Sequence, residues 1–560
     1  MKQLVFALPL LALFACARPV APEGGPKDAT PPAVVPEKSA PNRTTRFQER
    51  QFQLSFDEWV TLQDVGAQVL VSPPLLKRPA VTLKGRTVTF KLDKEEVLRP
   101  NTTYTIHFGN AVEDLHEGIP AKDLRFVFST GDVIDSLSMA GSVVDAFSGD
   151  PLENIAVLLY DYPSADSIVR QERPYYLART DKSGQFAIPN VRAGAFRCVA
   201  IDDVNQNLKW DGETERIGFP DSLVQVNDSI RTLPAIRVFR PAPQMRLLTK
   251  DANRYGLVRL GFSQSPDSIA LQPDQPGIRW LADREQDTLL VWYDRADSMA
   301  WNLIAGRDTV PVKAMSRSGF LSGNKPAFGD ERTATAGRGR RSTPTTPAPP
   351  AVAPPPRVVN VKPGKHVLIP FGTPLTRVDT ALVVLAADSV RLHNFQLRPD
   401  SSTLRILRLD ARWQDGQRYT FLLLPGALTD FFGSSNTDTL RRVFSAPPEK
   451  QVGSLNLTLG SLQAGVPYLL RLLKDNTVEE ERFFTAETAE TRFVFQKLLP
   501  LAYTLQLIED RNGNGRWDTG DYFERRQPER VFLKKLEPLR ANWEVEARLD
   551  ARVSTGRRGD

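Results

Sequence analysis

Near the C-terminal end of the chain, "DRNGNGRWDTGD" sets oxygen-bearing side chains at alternate positions. Asp510, Asn512, Asn514, Asp518 and Asp521 fall on positions one, three, five, nine and twelve of a calcium loop, with Gly515 at six and Arg516 at seven. Oxygens at alternate residues converge on one hard cation as a loop curls. Glycine at six allows the sharp turn, and Arg516 offers its carbonyl. Asp521 replaces the usual glutamate at twelve, which weakens binding. An earlier stretch, "IDDVNQNLKWDGE", repeats the arrangement with Asp203, Asn205, Asn207 and Asp211, and with Lys209 at the carbonyl position. There Leu208 stands where glycine is wanted and Thr214 falls at twelve, leaving Glu213 or Glu215 to complete the set. The competing reading of both loops is a polar turn whose side chains cap their own backbone. A site with so few carboxylates belongs to the ~0.1–1 mM range of extracellular modules, and calcium there is a structural staple. Trp210 and Trp517 recur at matching places and are expected to cover the apolar underside of each loop, ahead of a role as sugar platforms.

Other chemistry is sparse. His107, His116, His366 and His393 show no HExxH spacing and no cysteine partner, so a zinc site of the usual kind is not expected. There is no phosphate-binding loop, dinucleotide fingerprint or nucleophile elbow, and the chain is read as non-enzymatic. Asp followed by Ser or Thr and often an apolar residue recurs, with its hydroxyls at Ser136, Ser167, Ser222, Ser229, Ser268, Thr288, Ser298, Thr309, Thr380, Ser389 and Thr439. The pattern resembles an O-glycosylation acceptor of some Gram-negative surface proteins. Turn chemistry, in which Asp closes a loop before the next strand, is the favoured reading at any single site.

The elements that must hold these loops are strands. Runs such as "RTVTFKL", "YTIHF", "TLLVWY" and "YTFLLL" alternate with period two between Gly, Pro, Asn and Asp clusters. The fold class is therefore all-β, as tandem sandwiches. The first sixteen residues, "MKQLVFALPLLALFAC", form a secretory signal too short to span a membrane, ending at Cys16. Residues 16–32 read as a Pro/Gly-rich tether. Only Cys16 and Cys198 exist, so a lipidated Cys16 leaves no internal disulfide. The net charge of +6 is small for 560 residues, and no basic stripe with interleaved aromatics speaks for nucleic acid.

Two halves of the chain repeat each other. Phe56 answers Phe371 and Tyr104 answers Tyr419, both 315 apart; Asp114 answers Asp430 and Phe128 answers Phe444, both 316 apart. Further along, Ala195, Phe196, Asp203, Asn205, Asn207, Trp210 and Asp211 each find a counterpart 307 residues later. A near-constant offset marks a duplicated two-domain unit. The expected organisation is a signal (1–15), tether (16–32), first sandwich (33–131), second sandwich with its Asp/Asn loop (134–240) and an unassigned β module (241–320). A disordered linker (321–357), a divergent third sandwich (358–447), a fourth with the calcium-type loop (450–550) and a tail (551–560) follow.

"FDEWV", "LRPNTTYTIHFGNAVEDLHEG" and the closing "FSTG" resemble the bacterial Ig-like domain of S-layer-type and other surface proteins, with a weaker echo in "FGTPL", "YTFLLLPGALTDFFG" and "FSAP". "GSVVDAFSGDPLENIAVLLYD" and "TDKSGQFAIPNVRAGAF" resemble the prealbumin-like sandwich of carboxypeptidase regulatory-like domains. "LFAC" resembles a bacterial lipobox, with Phe14 departing from the usual residue at minus two. These resemblances imply a lipoprotein of the cell envelope, anchored to the outer membrane through Cys16. A scaffold or adhesion role comes first. A glycan- or nutrient-binding part of an uptake system, or an accessory that positions an envelope hydrolase, stands behind it. Envelope proteins or glycans are the partners implied. The sequence assigns no oligomeric state.

Overall fold

The computed structural model describes residues 28–552 apart from 228–229, 267–268, 330–357, 362–364, 401–402 and 404. Cys16 with its signal and most of the tether, and the acceptor positions Ser229 and Ser268, lie outside the described residues. The chain forms two compact units, Met1–Asp145 with Asp150–Val238, and Ala146–Gly149 with Phe239–Asp560.

In the first unit, the alternating run Gln51–Ser55 pairs with Thr87–Lys91, which pairs with Ala80–Lys84. A facing sheet orders Leu70–Ser72, Thr103–His107 and Arg125–Ser129, and a short ladder joins Val60–Leu62 to Val112–Asp114. Period-two alternation sends Phe52, Phe90, Phe126 and Phe128 inward, where Phe52 stacks on Phe126 with ring centroids 3.8 Å apart. The buried Tyr104 lies over Phe128, and its hydroxyl accepts the Arg99 N–H at 2.8 Å. The next sandwich centres one sheet on Ala156–Asp161, flanked by Tyr176–Arg179 and Gly194–Ile201, with Ile217–Gly218 beyond. Its other sheet centres on Leu137–Asp145, paired with Gln185–Val191 and, in parallel, with Ile230–Thr232 and Ile236–Val238. Cys198 is buried in this core, and burial pushes its thiol up to about 12, which leaves it an inert hydrophobe.

The second unit repeats both topologies. Val367–Pro370, Ile406–Ala411 and Phe395–Pro399 reproduce the first sheet order, and Val383–Ala387, Arg418–Leu423 and Leu440–Ser445 the second. Leu375–Val378 pairs with Leu428–Asp430 as Val60–Leu62 does with Val112–Asp114. The last sandwich orders Thr477–Thr485, Pro467–Lys474, Thr504–Ile508 and Val531–Lys535 in one sheet. Its other sheet orders Glu490–Leu498, Gly453–Gly460 and Glu544–Asp550, the final pair again parallel. Tyr419 and Tyr468 accept the N–H five residues upstream, as Tyr104 does.

The module that sequence patterning left unassigned packs a four-stranded sheet (Leu247–Arg254, Leu257–Phe262, Thr288–Asp294, Arg279–Glu285) with a three-stranded one (Leu271–Pro273, Trp301–Ala305, Asp308–Val312). Its core takes in Phe431 and Phe432 of the third sandwich, and a Cβ on Gly256 would stand 2.6 Å from the Phe432 ring. The expected linker begins too early. Residues 317–323 are helical, and Phe328, buried, pairs with Phe371 and packs on its ring. Burial of Phe328, backbone bonds of Ala327 and Gly329 to Gly372 and Pro370, and the Asn324 amide on Asp430 together seat 324–329 in the fold.

Candidate functional site

Each Asp/Asn loop leaves the end of a buried central strand, Gly194–Ile201 in the first unit and Thr504–Ile508 in the second. The strand carries the leading aspartate inside with it: Asp203 and Asp510 are 5% and 1% exposed. A buried carboxylate needs donors, and the turn supplies them from its own backbone. Asp510 accepts Asn514 N–H at 3.0 Å and Gly515 N–H at 2.8 Å. Asp203 accepts Asn207 N–H at 3.0 Å and Leu208 N–H at 3.1 Å. Asn512 and Asn514 donate side-chain amides to one oxygen of Asp518, and Asn205 and Asn207 do the same to Asp211.

The two loops share a backbone as well as bonds. Gly513 and Gly515 have φ of 70° and 78°; their counterparts Gln206 and Leu208 hold 59° and 60°. Left-handed backbone costs a side-chain-bearing residue ~1–2 kcal/mol, so the first loop retains a conformation suited to glycine without its glycines. A Cβ on Gly513 would meet nothing within 4 Å, whereas one on Gly515 would sit 3.2 Å from the Phe483 ring. Gly513→Ala therefore lowers stability by ~1–2 kcal/mol through backbone conformation alone, and Gly515→Ala by more. Urea midpoints of the full chain check the order, and equal midpoints for wild type and both variants contradict it.

The closing carboxylate differs from the sequence expectation. Asp521, assigned to position twelve, sits in a separate turn: it pairs with Arg526 through both backbone bonds, and its side chain accepts Glu524 N–H at 3.0 Å. Glu529 closes the loop instead, accepting Arg511 N–H at 2.9 Å and Asp518 N–H at 3.0 Å. In the first unit Glu215 does this, accepting Asp211 N–H at 3.0 Å and bonding to Val204 N–H. Thr214 is exposed and donates its hydroxyl to Asp211 O. Glu215 and Glu529 are 314 apart, against 307 for the rest of the loop, so seven extra residues carry the glutamate from position thirteen in the first copy, just past the twelve-residue window, to position twenty in the second.

Burial pushes the Glu529 carboxyl up to about 6, with Asp518 and Asp510 adding to the rise; burial likewise raises Glu215, beside Asp211 and Asp203. Three carboxylates and two carboxamides thus share one small turn in each copy. Each carboxamide oxygen of Asn512 and Asn514 accepts a backbone N–H two residues on and keeps a second lone pair. The residue types, Asp510, Asn512, Asn514, Asp518 and Glu529 with the Arg516 carbonyl, are those a hard divalent cation takes, but the three carboxylates do not converge in this structure: no oxygen from each comes within 4.8 Å of the other two. The turn bonds are also those of the self-capping reading, and the two descriptions coexist in one loop. Trp210 is buried and Trp517 half-buried, and each donates its indole N–H to the backbone oxygen of the closing glutamate, at 3.2 and 2.9 Å. Both indoles underpin their loops.

Of the hydroxyl positions, Ser136, Ser222, Ser298, Thr309, Thr380, Ser389 and Thr439 are exposed, and Ser167 and Thr288 are half-buried. Several preceding aspartates do turn work: Asp379 accepts Ala381 N–H and Asp297 pairs with Arg295. Among the described residues no helix is long and apolar enough to cross a membrane.

Residues 28–130 match the family of the bacterial Ig-like domain, the segment that folds as the first sandwich. No curated protein matches the chain. Similar solved structures include the S-layer protein rSbsC, 9% identical over 90% of this chain and 67% of that one, with a TM-score of 0.14. The major pilin subunit BcpA of Bacillus cereus is 7% identical over 75% and 99%, TM-score 0.13. The Bacteroides ovatus protein SGBP-B, solved with a mixed-linkage heptasaccharide, is 10% identical over 65% and 88%, TM-score 0.16. At these TM-scores the likenesses carry no argument about the chain's shape or activity.

Proposed function

We propose that this chain is a non-enzymatic, lipid-anchored scaffold or adhesion protein of the bacterial cell envelope, its sandwiches clamped by calcium at the two Asp/Asn loops. The observation that carries the reading is the loop pair. The same turn, the same buried aspartate and the same closing glutamate recur in two sandwiches of one topology, although the glutamate has moved in sequence. Asp510 and Glu529 cap backbone N–H groups of their turn, and the turn carries the oxygen donors that calcium loops use at the same positions. A bacterial Ig-like domain at residues 28–130 supports the envelope setting. Cys16, at the end of the apolar run, supplies the anchor, with acyl chains contributing ~0.8 kcal/mol per buried methylene.

The anchor is tested by expressing the full chain and Cys16→Ser and fractionating envelopes. Wild type partitions with membranes and Cys16→Ser with the soluble fraction. Equal partitioning of the two removes the anchor from the account.

A further inference from the structure

The duplicated sandwiches differ at one buried aspartate. Asp114 and Asp430, both 1% exposed, end equivalent strands, and each begins a tight turn. In the second copy every oxygen of the carboxylate is served. Asp430 Oδ1 accepts Phe432 N–H and Ser434 N–H, and Oδ2 accepts the Asn324 amide at 2.6 Å and the Thr373 hydroxyl at 3.4 Å. Phe431 and Phe432 then leave the turn for the neighbouring module's core. In the first copy Asp114 Oδ1 accepts His116 N–H at 2.8 Å, whereas Oδ2 is buried without an N–H or hydroxyl donor of good geometry, and Glu117 is the other residue in hydrogen-bonding reach of the carboxylate. Residues 115–117 read Leu-His-Glu where the second copy has Phe-Phe-Gly.

An unserved carboxylate oxygen in a buried position is costly and calls for a partner. The side chains beside Asp114 are themselves ligands. One ligand atom each from Asp114, His116 and Glu117 lies within 4.8 Å of the other two, and His116 Nδ1 is 3.8 Å from Asp114 Oδ1. The Glu117 carboxyl stands in hydrogen-bonding reach of Asp114, and two ionised carboxylates so placed need a proton or a cation between them. No Lys or Arg pairs with Asp114 or Glu117 among the described residues, and Glu58, Asp57 and Asp28 add negative charge nearby. The turn that gathers the ligands is itself fixed: Gly118 N–H bonds Asp114 O, Asp114 N–H bonds Ile119 O and Leu115 N–H bonds Trp59 O.

We infer that Asp114, His116 and Glu117 form a binding site for a divalent transition ion of the zinc class. Calcium takes oxygen ligands, whereas an imidazole beside two carboxylates selects zinc and its neighbours. Three protein ligands leave a coordination position free on the exposed side, where the His116 ring is 70% open to solvent. The site is absent from the second copy, where neutral donors serve the aspartate and Phe-Gly replaces His-Glu.

The test is equilibrium dialysis of the full chain against zinc, with excess calcium to occupy the oxygen-only loops, for wild type, His116→Ala and Glu117→Gln. Both replaced side chains lie at the surface end of the turn, and melting in chelator verifies that each variant folds. Wild type takes up one tightly held zinc that calcium does not displace. Each variant holds that zinc ~10-fold or more weakly. Cobalt(II) in place of zinc gives visible ligand-field bands in wild type that both variants lose. Because His107, His366 and His393 remain throughout, the differences report this cluster. Zinc uptake and cobalt spectra unchanged in both variants overturn the inference.

Discussion

Replacing Asp294 with alanine lowers the unfolding free energy of the second unit by about 1.5–3 kcal/mol, the range for losing hydrogen bonds to a charged group whose arginine partners are partly exposed. Asp294 is 9% exposed and accepts four bonds: Tyr255 hydroxyl at 2.9 Å, Arg317 Nε at 2.8 Å and Nη2 at 3.1 Å, and Arg279 Nη2 at 3.1 Å. Arg279 also donates to Phe431 O, and Arg317 opens the helix Arg317–Gly323. One carboxylate therefore ties a strand, a helix and the aromatic insertion together, and removing it leaves the Tyr255 hydroxyl without this acceptor and two partly exposed guanidinium groups without their counter-charge. Burial alone would raise its pKa, but the bonds from Arg317 and Tyr255 outweigh burial and hold it below the usual range. A depressed carboxyl contributes stability that is present above the ordinary aspartate pKa and is lost as pH falls through the native value. Urea unfolding of the full chain, followed through Trp280, Trp292 and Trp301, measures the effect. A shift under ~0.5 kcal/mol, the size of an ordinary surface substitution, contradicts it.

Asp510→Ala is the second large effect, about 1–3 kcal/mol without added metal. The half-buried Gly515 N–H loses its acceptor, while the exposed Asn514 N–H keeps Asn512 Oδ1. The variant also loses any response of that sandwich to calcium. Asp203→Ala acts in the same direction but less, since the left-handed Gln206 and Leu208 already strain the loop it closes. Thermal melts of both variants in calcium and in chelator give the comparison. An Asp203→Ala loss equal to or larger than that of Asp510→Ala contradicts the ranking.

Strand alternation made the all-β class legible, and the constant 307-residue offset pointed to the repeated sandwich before any coordinates. What sequence spacing missed has physical causes. The closing Glu529 was hidden because seven inserted residues form their own turn around Asp521, and a fixed window cannot follow a ligand across an insertion. Glu215 was one of two open choices because Glu213 lies as close in sequence. Phe328 carried too little local pattern to show that it fills a core. The Asp114 cluster was illegible for another reason. His116 matches no ligand spacing, and its interest comes from a carboxylate oxygen whose lack of a donor is a property of packing.

Melting the full chain at ~1 mM calcium and again in chelator, with wild type and Asp510→Ala side by side, tests the calcium clamp. Calcium raises the wild-type midpoint of the last sandwich by the equivalent of about 0.4–1.4 kcal/mol, from one ion held only by the folded state at the affinity of extracellular modules. In Asp510→Ala the transition of the last sandwich does not move with calcium. Wild-type midpoints identical with calcium and with chelator would contradict the clamp.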